Sequence, residues 1–233
     1  MVGPRFDVIT LFPDQFPVLA SLGVVGRALK NGLFRLKCWN PRDFTSDAHR
    51  TVDDRPYGGG PGMVMLAEPL VKTIQAIRAE RADNAPVVFL TPHGPLLKQA
   101  DVRVMSSAGQ GAVFLCGRYE GVDQRFIDAY VDQTFCLGDF VLSGGELAVA
   151  CVVDAWVRLL PDVLNHAESA VQDSFEAGFL DCPHYTRPDV FENKEVPEVL
   201  LSGNHAKIAG WRSEQAKVYT ERFRPDLLKN KSG

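Results

Sequence analysis

Short apolar runs of strand length alternate along the chain with segments that repeat their apolar positions every three or four residues. The runs are Asp7 to Phe12, Phe34 to Trp39, Val87 to Leu90, Ala112 to Cys116 and Thr134 to Leu137. The helical spacing covers Gln15 to Asn31, Glu68 to Arg81, Lys98 to Ser107, Val122 to Tyr130 and Glu146 to Leu160. Strands separated by helices need crossover connections, so the pattern predicts an α/β fold with a mainly parallel sheet covered by helices. The segment Glu146 to Leu160 is apolar nearly all round, which predicts a buried helix. The pattern breaks at Pro161. Residues 161–172, PDVLNHAESAVQ, are polar, lack strong periodicity and follow a helix-stopping proline. They read as a linker between a domain of residues 1–160 and a small, mostly helical C-terminal domain of residues 173–233. Within the latter, Ser202 or Asn204 can cap a final helix running to about Phe223.

A chain of 233 residues with 45% hydrophobic and 23% charged content can bury a full core. It has no apolar run long enough to span a bilayer and no basic-then-apolar leader, so a soluble cytoplasmic protein without a membrane partner is expected. Five widely spaced cysteines with no CxxC pair suggest neither a disulfide framework nor a zinc ribbon. The formal charge of -4 argues against indiscriminate coating of nucleic acid, yet the charge is unevenly spread. From Ala206 to Gly233 seven basic residues face three acidic ones, so this tail carries +4 and the remainder -8. A polyanion could dock there, although a solvated helix face explains the same residues.

Three strand ends carry the candidate chemistry. Val87 to Leu90 runs into Thr91-Pro-His-Gly94, Ala112 to Cys116 into Gly117-Arg-Tyr-Glu-Gly121, and Thr134 to Leu137 into Gly138-Asp-Phe-Val-Leu-Ser-Gly-Gly145. Open α/β sheets bind ligands beyond the carboxyl ends of their strands, and glycine there lets backbone groups approach a ligand without a Cβ in the way. One such loop is ordinary turn chemistry; three predict a backbone-lined pocket. No GxGxxG follows a strand, so the dinucleotide fingerprint is missing. The stretch DRPYGGGPGMVM, Asp54 to Met65, lacks the Gly-Lys-Ser/Thr ending of a P-loop. The five histidines are scattered, and Cys182-Pro-His184 is the only close Cys/His pair.

Taken together, HRTVDDRPYGGGPGM, LCGRYEGVDQR, LGDFVLSGGEL, DSF, LDCPHYTRP and VLLSGNHAKI resemble the TrmD family of bacterial tRNA (guanine-N1)-methyltransferases, of the SPOUT superfamily. The resemblance runs in register from about Phe6 to Leu228. It implies that the first domain is a knotted cofactor-binding and dimerisation domain with a deep trefoil knot, an exception to the rule that connections do not thread loops. It implies S-adenosylmethionine as cofactor, in a pocket formed by Leu90, Thr91, Pro92, Gly117, Tyr119 and Gly121. Leu137, Gly138, Asp139, Phe140, Val141, Leu142, Gly144 and Gly145 complete that pocket. Phe140 stands where many members have tyrosine. The implied assembly is a homodimer with shared active sites, in which Asp173 acts as general base and Arg158 as its cationic partner. Ser169, Gly59 and His49 are the implied substrate contacts, with Arg50 and Arg55 close by. Magnesium is implied as well, with Glu120 at an acidic position associated with it. The implied partner is tRNA with guanosine at nucleotide 37, next to the anticodon and preferably after a guanosine at 36, held in part by the second domain.

The residue types suit that chemistry. Guanine N1 carries a proton and is a poor nucleophile until the proton leaves, so a base must lie within hydrogen-bond reach. A carboxylate with a pKa near 3.9 serves only if removed from bulk water. A fixed guanidinium stabilises the charge that spreads to O6. Each residue also has a plainer reading. Arg158 can pair with Asp154 one turn earlier, Asp173 and Ser174 can cap a short helix from Phe175 to Leu180, and the glycines of Asp54 to Met65 can serve a turn needed only for packing. A knotted methyltransferase of another RNA and a catalytically silent RNA-binding or cofactor-sensing protein are the alternative functions.

Overall fold

A computed structural model describes residues 3–164 and 173–229. The chain divides into two compact units, Met1–Asn165 and His166–Gly233.

The first unit is built on a five-stranded, wholly parallel sheet in the order β2-β1-β6-β5-β7. Its strands are β1 (Arg5–Ile9), β2 (Arg35–Trp39), β5 (Val87–Leu90), β6 (Gly111–Leu115) and β7 (Gln133–Phe135), while β3 (Asp53–Asp54) and β4 (Val64–Met65) form a separate antiparallel ladder. Strand periodicity splits the core between two faces. Phe6, Val8, Val88, Ala112 and Phe114 point to one face, where α1 (Phe16–Leu19), α2 (Gly23–Lys30), α4 (Gln99–Ser107) and α6 (Glu146–Val157) cover them. Trp156 of α6 sets its ring edge-on to Phe6, 5.1 Å between centroids, and to Phe114 at 6.4 Å. Ile9, Val87, Phe89, Val113 and Leu115 point the other way, against Leu70, Ile74 and Ile77 of α3 (Ala67–Glu80) and Phe126 of α5 (Gln124–Tyr130).

The middle of β1 carries a buried charge cluster. The Asp7 carboxylate, fully buried, accepts from Arg5, from Trp39 Nε1 at 2.7 Å and from Arg81 Nη1 at 2.7 Å. Arg81 reaches it from the end of α3 and also donates to the carbonyls of Arg5 and Gln110, so no charge there is left uncompensated.

Two expectations need correction. Gln15 to Asn31 is not one helix: Pro17 starts a single turn, the chain bends, and α2 restarts at Gly23, whose φ of +49° no ordinary side chain adopts easily. Nor is α6 buried all round. Val149, Val152, Val153, Trp156 and Val157 are buried, whereas Leu147, Cys151 and Asp154 line up at helical spacing on an exposed stripe. A helix lying on one sheet covers one face only.

In the second unit Asn204 caps the long helix His205–Phe223, its side chain accepting from Lys207 N–H at 3.1 Å. A two-stranded hairpin, Val190–Phe191 with Lys194–Glu195, precedes it. Phe175 to Leu180 forms turns rather than a helix. There Phe175 and Gly178 take positive φ, Ser174 Oγ accepts from Asp181 N–H at 2.9 Å, and the buried Thr220 Oγ1 accepts from Leu180 N–H at 2.8 Å. Among the described residues no helix is long and apolar enough to cross a membrane.

Candidate active site

The loops after β5, β6 and β7 are joined by main-chain hydrogen bonds. Thr91 N–H donates to Phe135 C=O, Cys136 N–H to Pro95 C=O and Leu97 N–H to Cys136 C=O, each at 2.8 Å. Gly145 N–H donates to Gly117 C=O at 2.9 Å. Glycine permits these approaches. A Cβ on Gly145 would lie 2.8 Å from Cys116 Cα and 2.9 Å from Gly117 N, and one on Gly94 would lie 2.6 Å from Phe135 N, all backbone atoms that cannot swing away.

The three loops enclose an open cavity of about 560 Å³. Leu90, Thr91 and Pro92 line it from the first loop, Gly117, Tyr119, Glu120 and Gly121 from the second. The third contributes Leu137, Gly138, Phe140, Val141, Leu142, Gly144 and Gly145. Asp139 is exposed and lies outside the lining. Phe140 and Val141 are also well exposed, so the cavity has an apolar rim that the first unit does not cover by itself. A volume in this range suits a nucleoside-sized ligand. Grooves of about 820 and 800 Å³ also occur, over α3 and α5 and at the N-terminal ends of the strands. Neither gathers glycine backbone at carboxyl strand ends, and volume alone does not select them.

Tyr119 occupies the left-handed region, φ +59°, between Arg118 and Glu120. Its hydroxyl accepts from Arg42 Nη2 at 3.3 Å, and partial burial together with Asp53 raises its pKa. The glycine-rich stretch Asp54 to Met65 runs alongside this loop: Glu120 N–H donates to Met63 C=O and Met65 N–H to Gly121 C=O, both at 2.9 Å. A Cβ on Gly62 would overlap the Glu120 side chain, so close approach explains that glycine. Gly58, Gly59 and Gly60 have open space beyond their Cα atoms and φ of +84°, +77° and +127°, so backbone conformation explains those three.

The remaining sequence-predicted residues belong to other segments of the chain. His49 is exposed just before the glycine-rich segment, and Arg50, also exposed, forms an ion pair with Asp43 and donates to Arg42 C=O. Arg158 follows the last residue of α6 in the first unit; Asp173 opens the described part of the second. Ser169 and most of the expected linker lie outside the described residues. Among the described residues one set of metal-type donors converges, Asp181, Cys182 and His184, with ligand atoms within 4.8 Å. It lacks the all-oxygen shell that magnesium takes, and Glu120 is not part of it. His184 Nε2 lies 2.9 Å from Asp181 Oδ2, a structural pairing.

A family model described as tRNA (Guanine-1)-methyltransferase TrmD matches residues 4–230. The chain belongs to this family. Members similar to it include a tRNA (guanine-N(1)-)-methyltransferase of Bordetella parapertussis, 57% identical over 236 residues that cover 98% of this chain and 91% of that one. A Pseudomonas fluorescens enzyme of the same name is 51% identical, covering 100% and 92%. One from Burkholderia multivorans is 56% identical, covering 96% and 86%. Two residues not singled out from the sequence stand out at the cavity between the three loops: Arg118 lines it, and Glu146 pairs with Arg118 from the first turn of α6. No signal in the sequence pointed to the pair, since an acid in the first turn of a helix is ordinary.

The glycine geometry yields a paired prediction. Gly145→Ala is expected to lower stability by about 1–3 kcal/mol, because its Cβ meets fixed backbone. Gly59→Ala is expected to cost about 1 kcal/mol of conformational strain and no clash. Urea unfolding of both variants checks the ordering; equal losses would show that the Gly145 loop relaxes freely.

Proposed function

We propose that the chain transfers a methyl group from S-adenosylmethionine to N1 of the guanosine at nucleotide 37 of tRNA, next to the anticodon, with a guanosine at 36 preferred. The observation that carries this reading is the convergence of three glycine-bearing strand ends on one cavity, in a chain matched almost end to end by a methyltransferase family.

The cavity fits the cofactor in kind: glycine backbone from three loops is set among apolar and aromatic side chains such as Leu90, Tyr119 and Phe140, and a Cβ at Gly145 would displace the bond to Gly117 that shapes it. In this reading the residues of the three loops fix the adenosine and methionine parts, with Phe140 offering a ring face and Thr91 a hydroxyl. When bound, S-adenosylmethionine supplies the methyl group and leaves as a neutral thioether. Asp173 accepts the proton from guanine N1, the guanidinium of Arg158 holds the charge that moves to O6, and Ser169, Gly59 and His49 position the base. An anticodon loop presents its bases unpaired, so drawing one out costs little. Glu120 offers a single carboxylate, so magnesium, if engaged there, would take most of its ligands from water and substrate.

The domain reading follows the same line. Residues 1–160 form the knotted cofactor domain, 161–172 the linker and 173–233 the tRNA-binding domain. The division of the chain after Asn165 and the basic tail from Ala206 support this assignment. A homodimer is supported by the exposed apolar side chains Leu147 on α6 and Val18 and Leu22 around α1, which packs on α6. Exposed apolar side chains on neighbouring elements fit a protein-protein interface.

Two measurements test these readings. Transfer of labelled methyl to a tRNA transcript with guanosine at 36 and 37 is expected with the wild type, and is expected to fall at least about a hundredfold with Asp173→Asn or with adenosine at 37. Transfer that survives the adenosine swap would mean a different target nucleotide. For assembly, Leu147→Asp is expected to shift the sedimenting species from dimer to monomer; a dimer unaffected by it would move the interface elsewhere.

A further inference from the structure

Glu146 is the charged residue that α6 hides. Its side chain is 8% exposed and sits in the first helical turn, where the backbone dipole favours an anion. On one side Thr10 Oγ1, in a residue with no exposure, donates to Glu146 Oε1 at 2.8 Å, and the same hydroxyl accepts from Phe12 N–H at 3.0 Å. On the other side Arg118 Nη2 lies 2.8 Å from Glu146 Oε2. Arg118 Nη1 donates to Ser143 C=O at 3.2 Å, and the guanidinium carbon stands 4.4 Å from the centre of the Phe12 ring. A Cβ on Gly144 would overlap that guanidinium.

One side chain thus touches three segments. Arg118 belongs to the loop after β6, bonds the loop after β7 through Ser143, and is tied to the end of β1 through Glu146 and Thr10. It also lines the cavity. The arrangement is costly to bury: Arg118 Nε and Glu146 Oε2 are shielded from solvent with no aligned hydrogen-bond partner among the described residues, so the 2.8 Å contact is an ion pair held by charge and not by bond direction. Apolar residues of similar size would stabilise such a spot as well or better, so stability alone does not account for an acid and a base here.

We propose that Glu146, acting through Arg118, is a positioning residue that sets the separation of the two glycine loops around S-adenosylmethionine. The inference rests on the reading of this cavity as the cofactor site. Thr10 fixes the carboxylate, the carboxylate fixes the guanidinium, and the guanidinium spaces Gly117–Gly121 from Gly138–Gly145. Neither Glu146 nor Thr10 takes part in the methyl transfer itself.

The test is calorimetric titration of S-adenosylmethionine into wild type, Glu146→Gln and Arg118→Lys, well below their unfolding midpoints, with steady-state kinetics alongside. Glutamine keeps the shape and the Thr10 bond but removes the charge. Lysine keeps a charge opposite Glu146 but lacks the fork that reaches Ser143 simultaneously. Both are expected to weaken cofactor binding about tenfold, with KM for S-adenosylmethionine rising in parallel, kcat changing less than about threefold and KM for tRNA unchanged. A folded variant that binds the cofactor like wild type would overturn the inference, as would a fall in kcat with KM unaltered. Should Glu146→Gln fail to fold, Arg118→Lys decides alone. Failure of the wild type to bind S-adenosylmethionine would instead overturn the cofactor-site reading, and the inference with it.

Discussion

The hydrogen bond from Gly145 N–H to Gly117 C=O, 2.9 Å long, is the constraint on which the candidate site depends. It brings the start of α6 against the end of β6, where the backbone approach leaves no room for a Cβ. Gly94 plays the same part between the loop after β5 and Phe135 of β7. Once these contacts are made, the backbone that carries the lining side chains is fixed, and main chain bonded to main chain does not change rotamer. A reaction that needs donor and acceptor aligned more than it needs elaborate acid-base machinery gains most from such walls.

The central strand β1 links this site to the rest of the first unit. At its middle Asp7 gathers Arg5, Arg81 and Trp39; just past its C-terminal end Thr10 anchors Glu146 and, through it, Arg118. Phe6 before Asp7, and Val8 and Ile9 after it, are all without exposure and face both halves of the core. These apolar residues supply burial, while the polar groups restrict which helix packs where. Leu147 on α6 and Phe140 and Val141 at the cavity rim are among the apolar side chains that stay exposed.

Much of the architecture was legible in the pattern because it depends on local physics. Val87–Leu90 is the strand that its apolar run predicts, and Asn204 caps the helix that ends at Phe223. Errors arose where one residue overrides periodicity, as Pro17 and Gly23 do in splitting the segment from Gln15 to Asn31. The clustering of three glycine loops was foreseeable from their positions at strand ends, whereas the bond pairing Gly145 with Gly117 was not, since nothing in either neighbourhood names its partner. Arg118 and Glu146 escaped notice for the same reason: one looked like a loop residue and the other like the polar start of an apolar helix. Roles for Arg158, Asp173 and Ser169 came from family resemblance, because a site assembled from distant segments leaves no periodic trace.

The central claim is that the three loops form the cofactor site, and hydrogen exchange with and without S-adenosylmethionine tests it most directly. The account predicts slower exchange on cofactor addition for amides in Thr91–Gly94, Gly117–Gly121 and Gly138–Gly145, with β2 and the groove over α3 and α5 unchanged. Protection centred on that groove, around Lys72 and Arg125, with the glycine loops exchanging as before, would contradict it.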